Sequence, residues 1–285
     1  MNISFSATGT LWQIDIYDRK LPNKSKIKQD LIDFIESFEK DFSRFRDTSF
    51  LTKLAKKEGT YPIPDTAKKL LDFYDHLHQL TNGHFTPTIA KSLVSAGYDK
   101  NYSLTPQKKI ATPDDWRNVS YNQYSISSKL PTQLDFGAAG KGYLIDLVCK
   151  FLTDSGIKSY SVDAGGDIRL VGDKQLVIGL EDPTNSSKVI GTINIQNIGF
   201  CGSAGNRRNW GKYNHLLNPK TLTSPKNILS VWVEAKECLV ADGIATSLFF
   251  VNPQTLTDHY RFEYLRLFSD FSFDKSDNLS VTLFN

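Results

Sequence analysis

Asp242 and Thr246 stand four residues apart in ECLVADGIATSLFFV, so on a helix they share one face. A carboxylate and a hydroxyl placed together offer two hard oxygen ligands. Magnesium accepts such a pair while keeping waters and phosphate oxygens in its other positions. The same aspartate has a plainer use as a helix cap, and the spacing leaves both uses open. In LDFGAAGKGYLID, small residues from Gly137 to Gly142 strip bulk from a turn that precedes a helix. Unpaired N–H groups and a positive dipole end there suit a phosphate, and Lys141 adds a charge. A tight corner with no ligand is the alternative. The glycines read G-x-x-G-x-G rather than G-x-G-x-x-G, and no second βαβ unit follows. Both facts weigh against a dinucleotide-binding unit with Asp163, roughly 20 residues on, as its ribose acid. In VDAGGDIRLVG, Gly165 and Gly166 lie between Asp163 and Asp167. They mark backbone passing close to a ligand or another strand, or else a bulged strand end with Asp167 paired to Arg169 or solvent. His215, in NHLLNPKTLTSP, comes just before an apolar pair and an Asn-Pro turn. It is either a hydrogen-bonded structural residue or, with an ordinary pKa near neutrality, a base. His76, His78, His84 and His259 show no metal-ligand spacing.

The elements that must position these residues alternate helix and strand. SFSATGTLWQIDIYD alternates like one strand. Ile27, Leu31, Phe34, Ile35 and Phe38 recur at helical spacing over 25–40. A second helix is expected from Asp65, acting as its cap, to Thr81, closed by Asn82-Gly83. Residues 99–133 are polar and broken by Pro106, Pro113 and Pro131, which predicts short strands and loops. A strand–turn–helix–strand unit is expected from Gln133 through Gly165, then antiparallel strands over 167–235, a helix near 241–251 and two late strands. Helices mixed with meandering strands predict the α+β class.

Composition narrows the function. The chain has 285 residues, enough for a substantial core, and a net charge of +3 spread evenly, which argues against nucleic acid and mildly favours an anionic small ligand. Cys149, Cys201 and Cys238 are odd in number, widely spaced and without CxxC pairing. That opposes a disulfide framework or a zinc site and fits a reducing compartment. With no charged n-region ahead of an apolar run, and no spanning stretch, a cytoplasmic protein is expected.

Taken in order, SATGTLWQI, SRFRDTSFLTKL, NGHFTPTIAKSL, LDFGAAGKGYLID, VDAGGDIRLVG, GSAGNRRNWGKYNHLLNPKTL and ADGIATSLFF resemble the FAD:protein FMN transferases, the ApbE family. The resemblance runs from about Ser6 to about Phe250. It implies a single α+β domain over 1–285, two-lobed, with antiparallel strands, a glycine-rich strand–helix turn and FAD in the cleft. It further implies Mg2+ held by the Ala138 carbonyl with Asp242 and Thr246, and FAD contacted near Thr8, Phe45, His84, Phe85, Thr86, Asp135, Lys141 and Leu217. The implied reaction moves FMN from FAD onto a Ser or Thr hydroxyl of an acceptor flavoprotein and releases AMP. His215 is then the candidate base, while Asp135, expected beside Lys141, is better suited to fixing FAD. The same site would also serve an FAD pyrophosphatase giving FMN and AMP, or a catalytically degenerate FAD-binding protein. The chain departs from the family pattern at several places. Thr86 and Asn218 replace Asp, Lys220 replaces Arg, Leu222 replaces Gly, Thr8 replaces Met, and Phe45 stands where Tyr is frequent. Losing two carboxylates lowers the affinity expected for metal or adenine.

Overall fold

The computed structural model of the chain describes residues 1–19 and 24–284. Its first alternating run is a hairpin rather than one strand, formed by β1 (Asn2–Ala7) and β2 (Thr10–Ile16). Thr8 and Gly9 take φ values of 50° and 72°, the left-handed pair that a two-residue hairpin turn requires. Helix α1 (Lys24–Phe42) follows and buries Ile27, Leu31 and Ile35. Helix α2 (Phe50–Lys56) is capped by Ser49, whose Oγ accepts the Thr52 N–H at 3.1 Å. After β3 (Gly59–Pro62), helix α3 (Ala67–Leu80) starts beyond Asp65, and its N-cap Thr66 makes no side-chain capping bond. The expected Asp65 cap is therefore unused. The expected close at Asn82-Gly83 is present, with both residues left-handed at φ 49° and 79°.

Helix α4 (Ala90–Ala96) and the short strands β4 (Val119–Tyr121) and β5 (Ser125–Ser128) lead to the glycine-rich turn and helix α5 (Gly140–Asp154). The segment ahead of that turn is not a strand. It is extended chain tied to other segments by Thr132 N–H to Leu54 O, 3.0 Å, and Asp135 N–H to Pro87 O, 2.7 Å. Past α5, β6 (Tyr160–Ala164) pairs antiparallel with β2 and with β7 (Asp167–Val171). A parallel dinucleotide-binding unit is thus excluded at this turn.

The remaining strands are β8 (Gln175–Asp182), β9 (Asn185–Gln196), β10 (Gly199–Ala204), β11 (Asn209–Trp210), β12 (Tyr213–Asn214) and β13 (Ile228–Ala235). Helix α6 (Cys238–Ser247) begins and ends earlier than its sequence suggests. Helix α7 (Gln254–Thr257), β14 (Phe262–Phe268), β15 (Phe273–Lys275) and β16 (Val281–Leu283) complete the described chain.

Eight strands form the central sheet in the order β1-β2-β6-β7-β10-β13-β14-β15. Alternation along each strand gives it two apolar faces. Trp12, Ile14, Val162, Val231 and Val233 join a core with residues of α1, α5 and α6. From neighbouring positions, Ile168, Leu170, Phe200, Trp232 and Leu265 pack with Leu180, Ile193 and Ile195 of the three-stranded sheet β16-β9-β8. Each fully buried large side chain contributes about 1.5–3 kcal/mol of transfer free energy. Helices, central sheet and small sheet therefore make three layers, an α+β arrangement.

Candidate active site

A cavity of about 930 Å³ opens where the β1–β2 turn, the loop after α1, the turn before α5, β8, β10, the loop before β13 and α6 come together. Thr8, Phe45, His84, Phe85, Thr86 and Asp135 line it, as do Ala138, Lys141, His215, Leu217, Asp242 and Thr246. The residues expected to hold the metal, contact FAD or act as the base therefore line one space, although they span the chain from the first hairpin to α6.

Asp242 does not cap its own helix. It sits inside α6, and Oδ2 accepts the Gly142 N–H of α5 at 2.9 Å. The two helices touch there: a Cβ on Gly142 would lie 2.2 Å from the Cys238 carbonyl oxygen and 2.7 Å from the Asp242 Cβ. Only glycine fits. The start of α6 is capped from outside by Asp146 of α5, whose Oδ1 and Oδ2 accept the Cys238 and Leu239 N–H groups at 2.9 and 2.8 Å. Each helix thus caps the other. Thr246, one turn beyond Asp242, places Oγ1 3.4 Å from the Ala138 carbonyl oxygen and 3.4 Å from Ser203 Oγ. One carboxylate, one carbonyl and hydroxyls make a hard-oxygen donor set suited to magnesium. Burial pushes the Asp242 carboxyl up, with Lys141 and the Gly142 N–H opposing, and Asp242 forms no ion pair among the described residues. A buried carboxylate with so little compensation favours a cation beside it.

The glycine-rich turn lines the cavity with Gly137, Ala138, Gly140 and Lys141. Four of its amides already have acceptors: Gly137 on Asp135 Oδ1, Ala139 on the Tyr74 hydroxyl, Gly140 on the Phe136 carbonyl and Gly142 on Asp242. The positive charge is also arranged differently from expectation. Lys141 is ion-paired with Asp167, not with Asp135. Asp167 is 1% exposed, and its Oδ1 also accepts the Gly202 N–H at 3.1 Å, so it faces neither Arg169 nor solvent. Asp135 instead pairs with Arg44 at 2.5 Å, and Arg44 donates a second bond to the Tyr98 carbonyl at 3.0 Å. The Arg44 guanidinium lies 4.1 Å from the centre of the Phe45 ring, which stacks on Tyr102. Gly165 and Gly166 form the β6–β7 turn, and a Cβ on Gly165 would lie 2.1 Å from Thr10 Oγ1. The close approach at Gly165 is to the neighbouring strand, while Gly166 stands open, and both line the cavity.

His215 follows β12, with Nδ1 sealed from solvent and unpartnered. Burial first, and Arg208 second, push its pKa down to about 4. It is therefore neutral at physiological pH but a weaker base than a free histidine. His84 is lowered too, by burial and then Lys220, with the Asn218 side chain opposing. Phe85 is only 2% exposed and packs on Tyr74 at 4.9 Å, so most of its ring is core. Leu217 joins Leu93, Tyr98, Trp210 and Tyr213 in a separate cluster that backs the cavity.

The departures from the family pattern keep local geometry while losing charge. Thr86 Oγ1 accepts the Thr88 N–H at 3.3 Å, capping a short 3-10 turn as an aspartate would. Asn218 Oδ1 accepts the Lys220 and Thr221 N–H groups at 2.9 and 3.3 Å and shapes its own turn. Leu222 keeps a left-handed backbone at φ 56° without being glycine. Thr8 Oγ1 accepts the Trp12 indole N–H at 3.1 Å, while its backbone N–H donates to Glu39.

Sequence reasoning passed over Arg44, Arg208 and Ser203, and it gave Asp167 a partner other than Lys141. Arg208 bonds the Tyr98 hydroxyl and has no carboxylate within ion-pair distance among the described residues. Both arginines stand inside quoted segments, SRFRDTS and GNRRNW, and an arginine beside a candidate binding residue was the available signal. No spacing rule predicts the long-range partners of Asp167 and Ser203.

Comparison with known proteins agrees with this architecture. The FAD:protein FMN transferase of Vibrio cholerae serotype O1 is 25% identical over 276 residues, covering 89% of this chain and 82% of that protein. The Treponema pallidum protein of the same name is 24% identical over 275 residues, covering 85% and 76%. Among solved structures, the Thermotoga maritima ApbE protein superposes with a TM-score of 0.84 at 21% identity, over 97% of both chains. The Vibrio cholerae flavin transferase ApbE gives 0.81 at 19% identity, covering 97% of this chain and 96% of that one. A model of the ApbE family matches residues 8–264. The chain belongs to the ApbE family.

Proposed function

We propose that the protein is an FAD:protein FMN transferase that moves the FMN half of FAD, with magnesium, onto a Ser or Thr hydroxyl of an acceptor flavoprotein. One observation carries this reading: a single cavity gathers the Asp242, Thr246 and Ala138 oxygens, the Lys141 and Arg208 cations and a neutral imidazole at His215. Relatives named FAD:protein FMN transferase support it. Magnesium would be held by Asp242, Thr246 and the Ala138 carbonyl, and when bound would neutralise charge on the phosphate oxygens. Lys141, aimed by Asp167, and Arg208 add fixed positive charge around the phosphates. The acceptor hydroxyl oxygen attacks the FMN-side phosphorus as its proton passes to His215. The bond from that phosphorus to the AMP phosphate oxygen breaks, and AMP leaves. Because Nδ1 of His215 is sealed, Nε2 is the atom that takes the proton. An anionic substrate beside Arg208 offsets the charge that depresses His215, so binding raises the basicity of the imidazole.

The test is incubation of the protein with FAD, Mg2+ and a candidate acceptor protein. The expected result is a covalently yellow acceptor, modified at Ser or Thr, with one AMP released per flavin. FMN and AMP released at the same rate without acceptor would make the protein a pyrophosphatase. FAD bound but unchanged would make it a binding protein. NAD competing as well as FAD would remove the flavin assignment altogether.

A further inference from the structure

The three proposed metal ligands come from α6, which carries Asp242 and Thr246, and from the turn that leads into α5, which carries Ala138, so their meeting depends on how α5 and α6 sit against each other. Two contacts hold that register, and they are reciprocal. Gly142 and Asp146 lie four residues apart on α5 and meet Asp242 and Cys238, four residues apart on α6. At one end the Gly142 N–H is donated to Asp242. At the other, Asp146 takes both the Cys238 and the Leu239 N–H groups, at 2.9 and 2.8 Å. The α6 N-cap residue, Glu237, makes no capping bond and pairs instead with Lys69 at 2.7 Å. Asp146 is therefore the side chain that terminates α6 among the described residues.

We propose that Asp146 is a positioning residue for the metal site, locking α6 against α5 so that Asp242 and Thr246 face the Ala138 carbonyl. It touches neither metal nor substrate, and the proposal rests on the magnesium reading given above. Its leverage is geometric. Thr246 Oγ1 already stands 3.4 Å from the Ala138 oxygen, and sliding α6 by one residue would shift it by about 1.5 Å. Magnesium requires near-ideal octahedral geometry at about 2.0–2.1 Å and tolerates little displacement of its ligands. Groups that orient metal ligands typically change affinity by about 10–100-fold when removed.

The experiment is calorimetric titration of Mg2+ into the full chain at saturating FAD, alongside melting temperature and FAD binding without metal. Asp146→Ala is expected to weaken Mg2+ binding by about tenfold or more while metal-free FAD binding stays near that of the unmodified protein. Asp146→Asn, which keeps an acceptor oxygen for one of the two N–H groups, should fall between and keeps the test available if the alanine variant does not fold. Ser49→Ala removes the α2 cap, away from the cavity, and should lower the melting temperature without moving the Mg2+ affinity. Unchanged Mg2+ affinity in both Asp146 variants, with a lowered melting temperature, would reduce Asp146 to a purely structural cap and overturn the proposal. Failure of the unmodified protein to bind Mg2+ would overturn the metal reading as well, which separates the two failures.

Discussion

At the scale of single residues, two side chains carry tests of the proposed chemistry. If His215 takes the acceptor's proton, His215→Ala should slow transfer by about 10²–10⁴-fold while FAD affinity stays near normal. A variant that loses FAD binding in proportion to rate would return His215 to a structural role. Because His215 is held at about 4 in the free protein, the histidine limb of the kcat/KM profile should lie near that pH. A limb at 6 to 7 would contradict the buried, Arg208-facing environment. The same shift predicts a stability effect. Its folded value lies below the ordinary 6.5, so between pH 6.5 and 4 the folded chain binds fewer protons than the unfolded one. Stability from this group is full above 6.5 and is lost on acidification through that window. Urea unfolding should show a smaller loss from pH 7 to 4.5 in His215→Asn than in the unmodified protein. Asp242 separates charge from hydrogen bonding. Asp242→Asn keeps an acceptor for the Gly142 N–H, so the fold should persist while magnesium-dependent turnover collapses. Asp242→Ala should lose turnover too, and in addition cost ~1 kcal/mol relative to Asn through the lost α5 cap.

At the scale of elements, the β6–β7 hairpin offers a graded test. Gly165 and Gly166 both have positive φ, 67° and 95°. A Cβ on Gly166 would meet nothing within 4 Å, whereas one on Gly165 would meet Thr10 Oγ1 at 2.1 Å. Gly166→Ala should therefore cost only the left-handed penalty, about 1–2 kcal/mol. Gly165→Ala should cost clearly more, because it also pushes β2 away. Equal costs in denaturant titrations would mean that the strand contact is easily relieved. The paired glycines announced close approach here, and at Gly165 the structure supplies a strand as the partner.

At the scale of the whole molecule, the central sheet carries apolar residues on both faces, one core against the helices and another against β16-β9-β8. Neither layer can leave without stripping a face of that sheet. The chain is therefore expected to unfold as one cooperative unit, with tryptophan fluorescence and far-ultraviolet circular dichroism giving coincident transitions. Separate transitions would divide it into independent domains. Among the described residues no helix is long and apolar enough to cross a membrane.

The sequence by itself determined residue chemistry and local form: the helical spacing of Asp242 and Thr246, the apolar stripe of α1, the alternation of β13 and the left-handed close at Asn82-Gly83. These are legible because each depends on neighbours within a turn or a strand. Its errors were local too: alternation hides a hairpin turn at Thr8-Gly9, and an extended segment before the glycine turn reads as a strand although it pairs with no sheet. Tertiary structure alone decided which charges meet. Arg44 takes Asp135 from 91 residues away, Lys141 goes to Asp167, and Asp242 caps the first turn of α5 at Gly142, 100 residues earlier in the chain. It also decided the protonation of His215, because desolvation and the nearness of Arg208 are properties of the folded interior. Ion pairing and burial depend on distances through space, and spacing along the chain does not encode them.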